Sequence, residues 1–290
     1  MTTHCASVAA GTLSAGQIPC NSVSPSTVTT SDAVGGAGTR RGVVCFLHPT
    51  QNSDLKMPFA VPNNIGTNFQ SLQTSVNSDG WVFDYPAYPV DWSVGGVGTF
   101  PSLYNMTNVD SGHGTALVNV LMTWWDHYIA YLRSRYNLTP KVLVGGFSMG
   151  AWLSFLIAIN RTSTILGMFA HCPPTIWANV AISGLNMSAV NWTGMNLSTT
   201  CLSTVMLPTL VGYSTTDGIV GYSASSSPVS NTDAIITNAQ GAGQNCTRYS
   251  SSTDAGTAYP NGHLYLPGDA TQHQTWITST IDPLAPANAF

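Results

Sequence analysis

Charge is what this 290-residue chain has least of: eight Lys+Arg and twelve Asp+Glu make up 7% of it, against about 25% in an average soluble domain. The cations are nowhere denser than Arg40-Arg41, so no basic stripe can neutralise a run of phosphates. That excludes nucleic acid as a partner. A formal net charge of −4 is too mild for an acidic tail or for selecting a basic partner. No run of apolar residues is long enough for a transmembrane helix. Residues 1–30 lack the basic start and apolar stretch of a leader peptide. Cys-x-x-Cys does not occur, which argues against a zinc ribbon and a thioredoxin-type motif. There is no internal repeat.

What is present is a large apolar fraction, 43%, enough for one substantial core in a single α/β domain of this size. Ser, Thr, Asn, Gln and Gly must cover most of the surface. The six cysteines, at 5, 20, 45, 172, 201 and 246, are even in number in a Ser/Thr-rich chain. This predicts an oxidising compartment with some disulfides. Cys5 and Cys20 are the simplest pair, whereas Cys45 lies in an apolar run and reads as a buried thiol. Asn105, Asn137, Asn160, Asn186, Asn191, Asn196 and Asn245 fit Asn-x-Ser/Thr, which is compatible with secretion. The expectation is an extracellular protein whose leader is no longer in this sequence.

Strand and helix patterns alternate along the chain. Residues 1–40 are a Ser/Thr/Gly-rich extension with weak strand patterning. Residues 42–47 form a continuous apolar run, as in a buried parallel strand, and residues 81–85 read as a second strand after a polar stretch. Residues 86–110 form a long Pro/Gly/aromatic connection, and in residues 115–136 apolar positions recur at threes and fours, predicting a helix. Strands follow at 141–145, 165–170, 205–213 and 246–252, with helices at 149–160, 233–239 and 273–280. A Trp/Asn/Ser-rich insertion or lid-like segment spans 173–204. Such alternation predicts a mostly parallel sheet covered on both faces.

Gly146-Phe147-Ser148-Met149-Gly150 fits Gly-x-Ser-x-Gly, between a β-branched strand and an apolar helix. In that setting the serine sits on a strained turn and projects its hydroxyl at a helix N-terminus, where backbone N–H groups can stabilise an oxyanion. The residues therefore point to Ser148 as a nucleophile and to an α/β-hydrolase fold, in which acid and then base follow the serine along the chain. Asp217 lies just past the strand 205–213 and is the favoured acid, with Asp233 and Asp254 as rivals. Only His263 and His273 follow it. His263 sits in a turn-rich loop with Gly262 leaving room beside the nucleophile, while His273 looks like an exposed or capping residue in the first turn of a terminal helix.

Five stretches also carry a family likeness: residues 43–51, 80–86, 136–151, 208–222 and 262–268. Together they resemble the polyhydroxybutyrate depolymerase and feruloyl esterase branch of the α/β-hydrolases. The likeness implies a central sheet of roughly eight strands, ester hydrolysis through an acyl-enzyme and no cofactor. It implies His263 as the base, one oxyanion N–H from Met149, and a second from the loop near Thr50 or Gln51, with Thr50 preferred. Three positions depart from the family pattern. Pro49, which has no N–H, stands where the family has Gly. Ser214 replaces a Gly before the acid, and Tyr265-Leu266 alters the spacing after the base.

The expectation is thus a monomeric serine carboxylic-ester hydrolase acting on an ester that is either a polyester or a feruloyl/aryl ester. Trp92, Tyr85, Tyr88, Trp177, Trp192 and Trp276 are candidates for stacking on such a substrate, or else for packing. The competing reading is a non-catalytic carbohydrate- or partner-binding protein on a hydrolase scaffold. A peptidase is disfavoured only by the family likeness.

Overall fold

The computed structural model describes residues 5–7, 18–20, 29–31, 41–47, 65–86, 113–136, 142–181, 188, 192, 194–251 and 262–285. A short parallel pair, β1 (Cys5–Ser7) and β2 (Ile18–Cys20), stands apart from a seven-stranded sheet. That sheet contains β3 (Thr29–Ser31), β4 (Gly42–Leu47), β5 (Trp81–Tyr85), β6 (Val142–Phe147), β7 (Gly167–His171), β8 (Thr209–Tyr213) and β9 (Cys246–Ser250), in the order β3-β5-β4-β6-β7-β8-β9. Only β3 runs antiparallel, at the edge beside β5. About eight strands were expected.

The central strands are buried along their whole length, which is why they read as unbroken apolar runs. β9 closes the other edge and is mostly solvent-facing, with only Cys246 buried. Helices α1 (Ile65–Ser78) and α5 (Pro267–Trp276) pack against each other on one face. Right-handed crossovers in this strand order put α2 (His113–Tyr136), α3 (Met149–Asn160) and α4 (Thr232–Gly241) on the opposite face. α3 is buried from Met149 to Ala158, as a helix apolar on all sides must be.

Three elements differ from the sequence reading. The polar stretch before β5 contains α1, whose four apolar residues Ile65, Phe69, Leu72 and Val76 keep a helical spacing among Ser, Thr, Asn and Gln; Leu72 and Val76 are buried. β8 starts at Thr209 instead of 205, because Pro208 has no N–H for a ladder. Its carbonyl instead accepts from Met168 N (3.0 Å). The terminal helix starts at Pro267, six residues earlier than expected, so His273 lies well inside it and is fully buried.

Cys45, Cys172, Cys201 and Cys246 are free thiols, so the expected disulfides do not form among them. Cys45 lies beside Tyr128 and Asp84, and Cys172 beside Asp217, two separate places in the fold. Cys5 and Cys20 sit on the paired strands β1 and β2. Among the described residues no helix is long and apolar enough to cross a membrane.

Candidate active site

Gly146 ends the straight part of β6, and a Cβ there would lie 2.4 Å from the Gly150 carbonyl carbon. Only glycine lets α3 turn back so tightly over the strand. Ser148 takes the strain of this turn, with φ 55° and ψ −122°. Its N–H donates to His171 O (2.9 Å), and its carbonyl accepts from Trp152 N (3.1 Å). Both backbone groups are therefore anchored, and the side chain points to the carboxyl ends of the strands. Met149 is the first residue of α3, so its N–H has no acceptor within the helix.

Asp217 follows β8 by a turn that Ser214 builds. Ser214 O accepts from Asp217 N (3.2 Å) and Ser214 Oγ from Thr216 N (3.3 Å). A glycine could not supply the second bond, so this departure from the family pattern has its own structural use. The buried Asp217 Oδ1 accepts from Ile219 N (2.9 Å) and Val220 N (3.0 Å), and Oδ2 lies 2.8 Å from His263 Nδ1. Burial alone would raise this carboxyl's pKa. The His263 ring, through charge and hydrogen bond, and the two N–H groups outweigh it and hold the pKa below the usual value.

Because the carboxylate can only accept, His263 Nδ1 carries the proton and donates to it. The neutral ring then accepts at Nε2 from Ser148 Oγ (2.9 Å). Ser148 is 9% exposed and the His263 side chain 13%, so this end of the chain of hydrogen bonds reaches solvent. The ring of Phe147, between strand and serine, packs against His263 with centroids 4.9 Å apart.

The structure thus joins Ser148, Asp217 and His263. His273 is elsewhere, bonded to Tyr249 and Tyr265, with burial and then nearby His171 holding its pKa well below that of an ordinary histidine. Asp233 pairs with Arg248 at the surface (2.8 Å). Asp254, Pro49, Thr50, Gln51, Tyr88 and Trp92 lie outside the described residues, as does the Tyr85 side chain. Gly262 does not make room beside the nucleophile. Its φ is +63°, and a Cβ there would lie 2.4 Å from Thr216 O, so it lets the loop of the histidine press on the loop of the aspartate.

The aromatic residues of the insertion are also placed differently from a substrate platform. Trp177 stacks on Trp192 and meets Trp152 edge-on. Both Trp177 and Trp192 are buried, as is Trp276, so they pack the core. The described part of the insertion is tied to the Asp217 side of the sheet by Ala181 N to Ile219 O (2.8 Å), Asn231 N to Thr175 Oγ1 (2.7 Å) and Asn179 Nδ2 to Val229 O (3.0 Å).

Sequence reasoning passed over His171 because it precedes the acid in the chain, and counted Cys172 only among the six cysteines. The signal that would have found them is the one that picked out Asp217: polar residues at the carboxyl end of an apolar strand. The Cys172 thiol, the Asp217 carboxylate and a His263 ring nitrogen lie within 4.8 Å of one another, a set of zinc-ligand types. However, Nδ1 and Oδ2, 2.8 Å apart, are closer than the roughly 3.3 Å that separates two ligands of a tetrahedral zinc. The geometry is that of a shared proton.

No protein-family model and no curated protein matches the sequence. Solved structures do match its fold. Est1E from Butyrivibrio proteoclasticus, with bound ferulic acid, superimposes with a TM-score of 0.55 at 13% identity, over 86% of this chain and 93% of that one. Esterase PE8 gives 0.53 at 13% identity, over 86% and 96%. The acylaminoacyl peptidase of Pyrococcus horikoshii gives 0.53 at 8% identity, over 87% of this chain and 38% of that one. With the parallel sheet flanked by helices and the strained turn at Ser148, the chain has the α/β-hydrolase fold.

Proposed function

We propose that the chain is a serine-dependent carboxylic-ester hydrolase with Ser148 as nucleophile, His263 as base and Asp217 as the orienting acid. The observation that carries this reading is the unbroken run of hydrogen bonds from Asp217 through His263 to a hydroxyl on a strained turn. The likeness in fold to two esterases supports it without deciding the chemistry.

Ser148 Oγ attacks the ester carbonyl carbon as its proton passes to His263 Nε2. Asp217 keeps Nδ1 protonated and stabilises the imidazolium. The oxyanion takes a hydrogen bond from Met149 N–H at the start of α3, with a second from the Thr50 region. Collapse of the tetrahedral intermediate transfers the proton to the leaving alcohol and leaves an acyl-serine. Water then loses a proton to His263 Nε2 and attacks the acyl carbon, and collapse returns that proton to Ser148 Oγ as the acid leaves. No cofactor enters any step.

The substrate class we propose is an uncharged ester, either a polyester such as polyhydroxybutyrate or a feruloyl or aryl ester. A surface poor in charge suits adsorption to a neutral polymer, and a fold neighbour holds ferulic acid. We place the protein outside the cell as one monomeric hydrolase domain spanning 1–290. Burial of Trp177, Trp192 and Trp276 weighs against a carbohydrate-binding platform built from them.

The test is hydrolysis of p-nitrophenyl acetate together with labelling by a fluorophosphonate. Ser148→Ala should abolish labelling and lower kcat by about 10⁶. Undiminished turnover would sink the assignment. A parallel screen of polyhydroxybutyrate particles and methyl ferulate separates the two substrate classes.

A further inference from the structure

Phe147, His171, Gly212 and Tyr249 occupy one register row across β6, β7, β8 and β9. In-register neighbours of a parallel sheet project to the same face, so Gly212 leaves a gap in that row. Tyr249 fills it. Its ring lies over Gly212, where a Cβ would come within 2.2 Å of it, and stacks on His171 with centroids 5.7 Å apart and planes 12° apart. The phenol reaches His171 Nδ1 (2.8 Å) and His273 Nε2 (3.0 Å), and Tyr265 Oη reaches His273 Nδ1 (2.7 Å).

The proton positions in this partly buried set follow from one acceptor and a neutral His171 ring. His171 Nε2 lies 2.8 Å from the carbonyl of Leu264, which can only accept, so Nε2 carries hydrogen. The neutral ring then accepts at Nδ1 from Tyr249 O–H. Tyr249 oxygen accepts from His273 Nε2–H, and His273 Nδ1 accepts from Tyr265 O–H. Burial, the largest influence on each, keeps the two phenols protonated and His273 neutral. Asp269 completes the support, with Oδ2 accepting from Leu266 N (2.7 Å) and Ser251 Oγ (3.1 Å).

Leu264 is the residue after His263, and the backbone carbonyl of His171 holds Ser148 N–H (2.9 Å). One residue at the end of β7 therefore grips the serine's turn with its main chain and the histidine's loop with its side chain. We propose that His171 is a positioning residue. It sets the 2.9 Å contact between Ser148 Oγ and His263 Nε2 from a rigid strand, and Tyr249 and His273 hold its ring in the required tautomer. This rests on the hydrolase reading above.

The test compares His171→Leu, which removes the Nε2–H, with His171→Gln, which returns an N–H donor at a similar reach, and with Tyr249→Phe. On p-nitrophenyl acetate, His171→Leu should lower kcat about 100-fold with KM nearly constant, as expected for a misplaced catalytic group. His171→Gln should recover most of that loss, and Tyr249→Phe should cost about tenfold. If His171→Leu does not fold, Tyr249→Phe and His171→Gln carry the comparison. A purely structural role predicts equal kcat for the folded fraction of every variant, and that outcome overturns the proposal. If the unmodified chain hydrolyses nothing and resists the fluorophosphonate, the hydrolase reading has failed. The positioning is then read by histidine-ring ¹⁵N–¹H NMR. A His263 signal that shifts in Tyr249→Phe and His171→Leu and returns in His171→Gln supports it, and one that stays put in all three refutes it.

Discussion

Two buried carboxylates sit near the carboxyl ends of strands in this sheet, and they do different things. Asp84, on β5, is fully buried and accepts a hydrogen bond from Tyr128 Oη on α2 (2.5 Å). Burial, with Asp84 adding to it, pushes the pKa of both the Tyr128 phenol and the Cys45 thiol well above their usual values, so both keep their protons. Asp217 is buried to nearly the same extent, but its partner is an imidazole that can pass a proton on and that reaches the Ser148 hydroxyl. Burial and a short hydrogen bond are common to both places. What separates a structural carboxylate from a candidate catalytic one is the next group along: a phenol held protonated in one case, an imidazole bonded onward to a serine hydroxyl in the other.

Substitutions can break that contrast. Asp217→Asn should lower kcat by about 10⁴, since the amide no longer fixes the ring with its proton on Nδ1, while Asp84→Asn should leave kcat alone. Parallel rate measurements on the two variants check this, and equal losses would erase the distinction. Tyr128→Phe removes the donor to Asp84. It should cost about 2 kcal/mol of stability in urea titration with fluorophosphonate labelling unchanged.

The smallest effect concerns acid. The folded-state pKa of Asp217 is depressed, so its contribution is full above the unfolded value of about 3.9. It is lost as pH falls through the lower folded value. Asp217→Asn should therefore show a shallower decline in stability below about pH 4 than the parent, measured by urea titration at successive pH values. An identical acid limb would place the controlling carboxylate elsewhere.

How much of this could be read from residues alone depends on how local the constraint is. The turn at Ser148 was legible because glycine, serine and glycine must stand at fixed offsets between an apolar strand and an apolar helix. Asp217 and His263 were picked out by chain order and by their position after strands, and they are the pair the fold brings to Ser148. α1 was not legible because its four apolar residues are diluted by poor helix formers, and the face it covers comes from β5 and α5. The place of His273 was missed because its partners, Tyr249 and Tyr265, come from a strand and a loop that meet it only in three dimensions. The buried indoles of Trp177 and Trp192 were ambiguous for the same reason: a loop tryptophan looks alike in sequence whether it faces a ligand or its own core.

The contact between Gly262 and Thr216 bears on how such a molecule can be altered. The loops carrying the acid and the base are moulded to one another with no space for a single added carbon. At this contact the course of one loop depends on that of the other. A side chain added at position 262 has to be met by a change around Thr216.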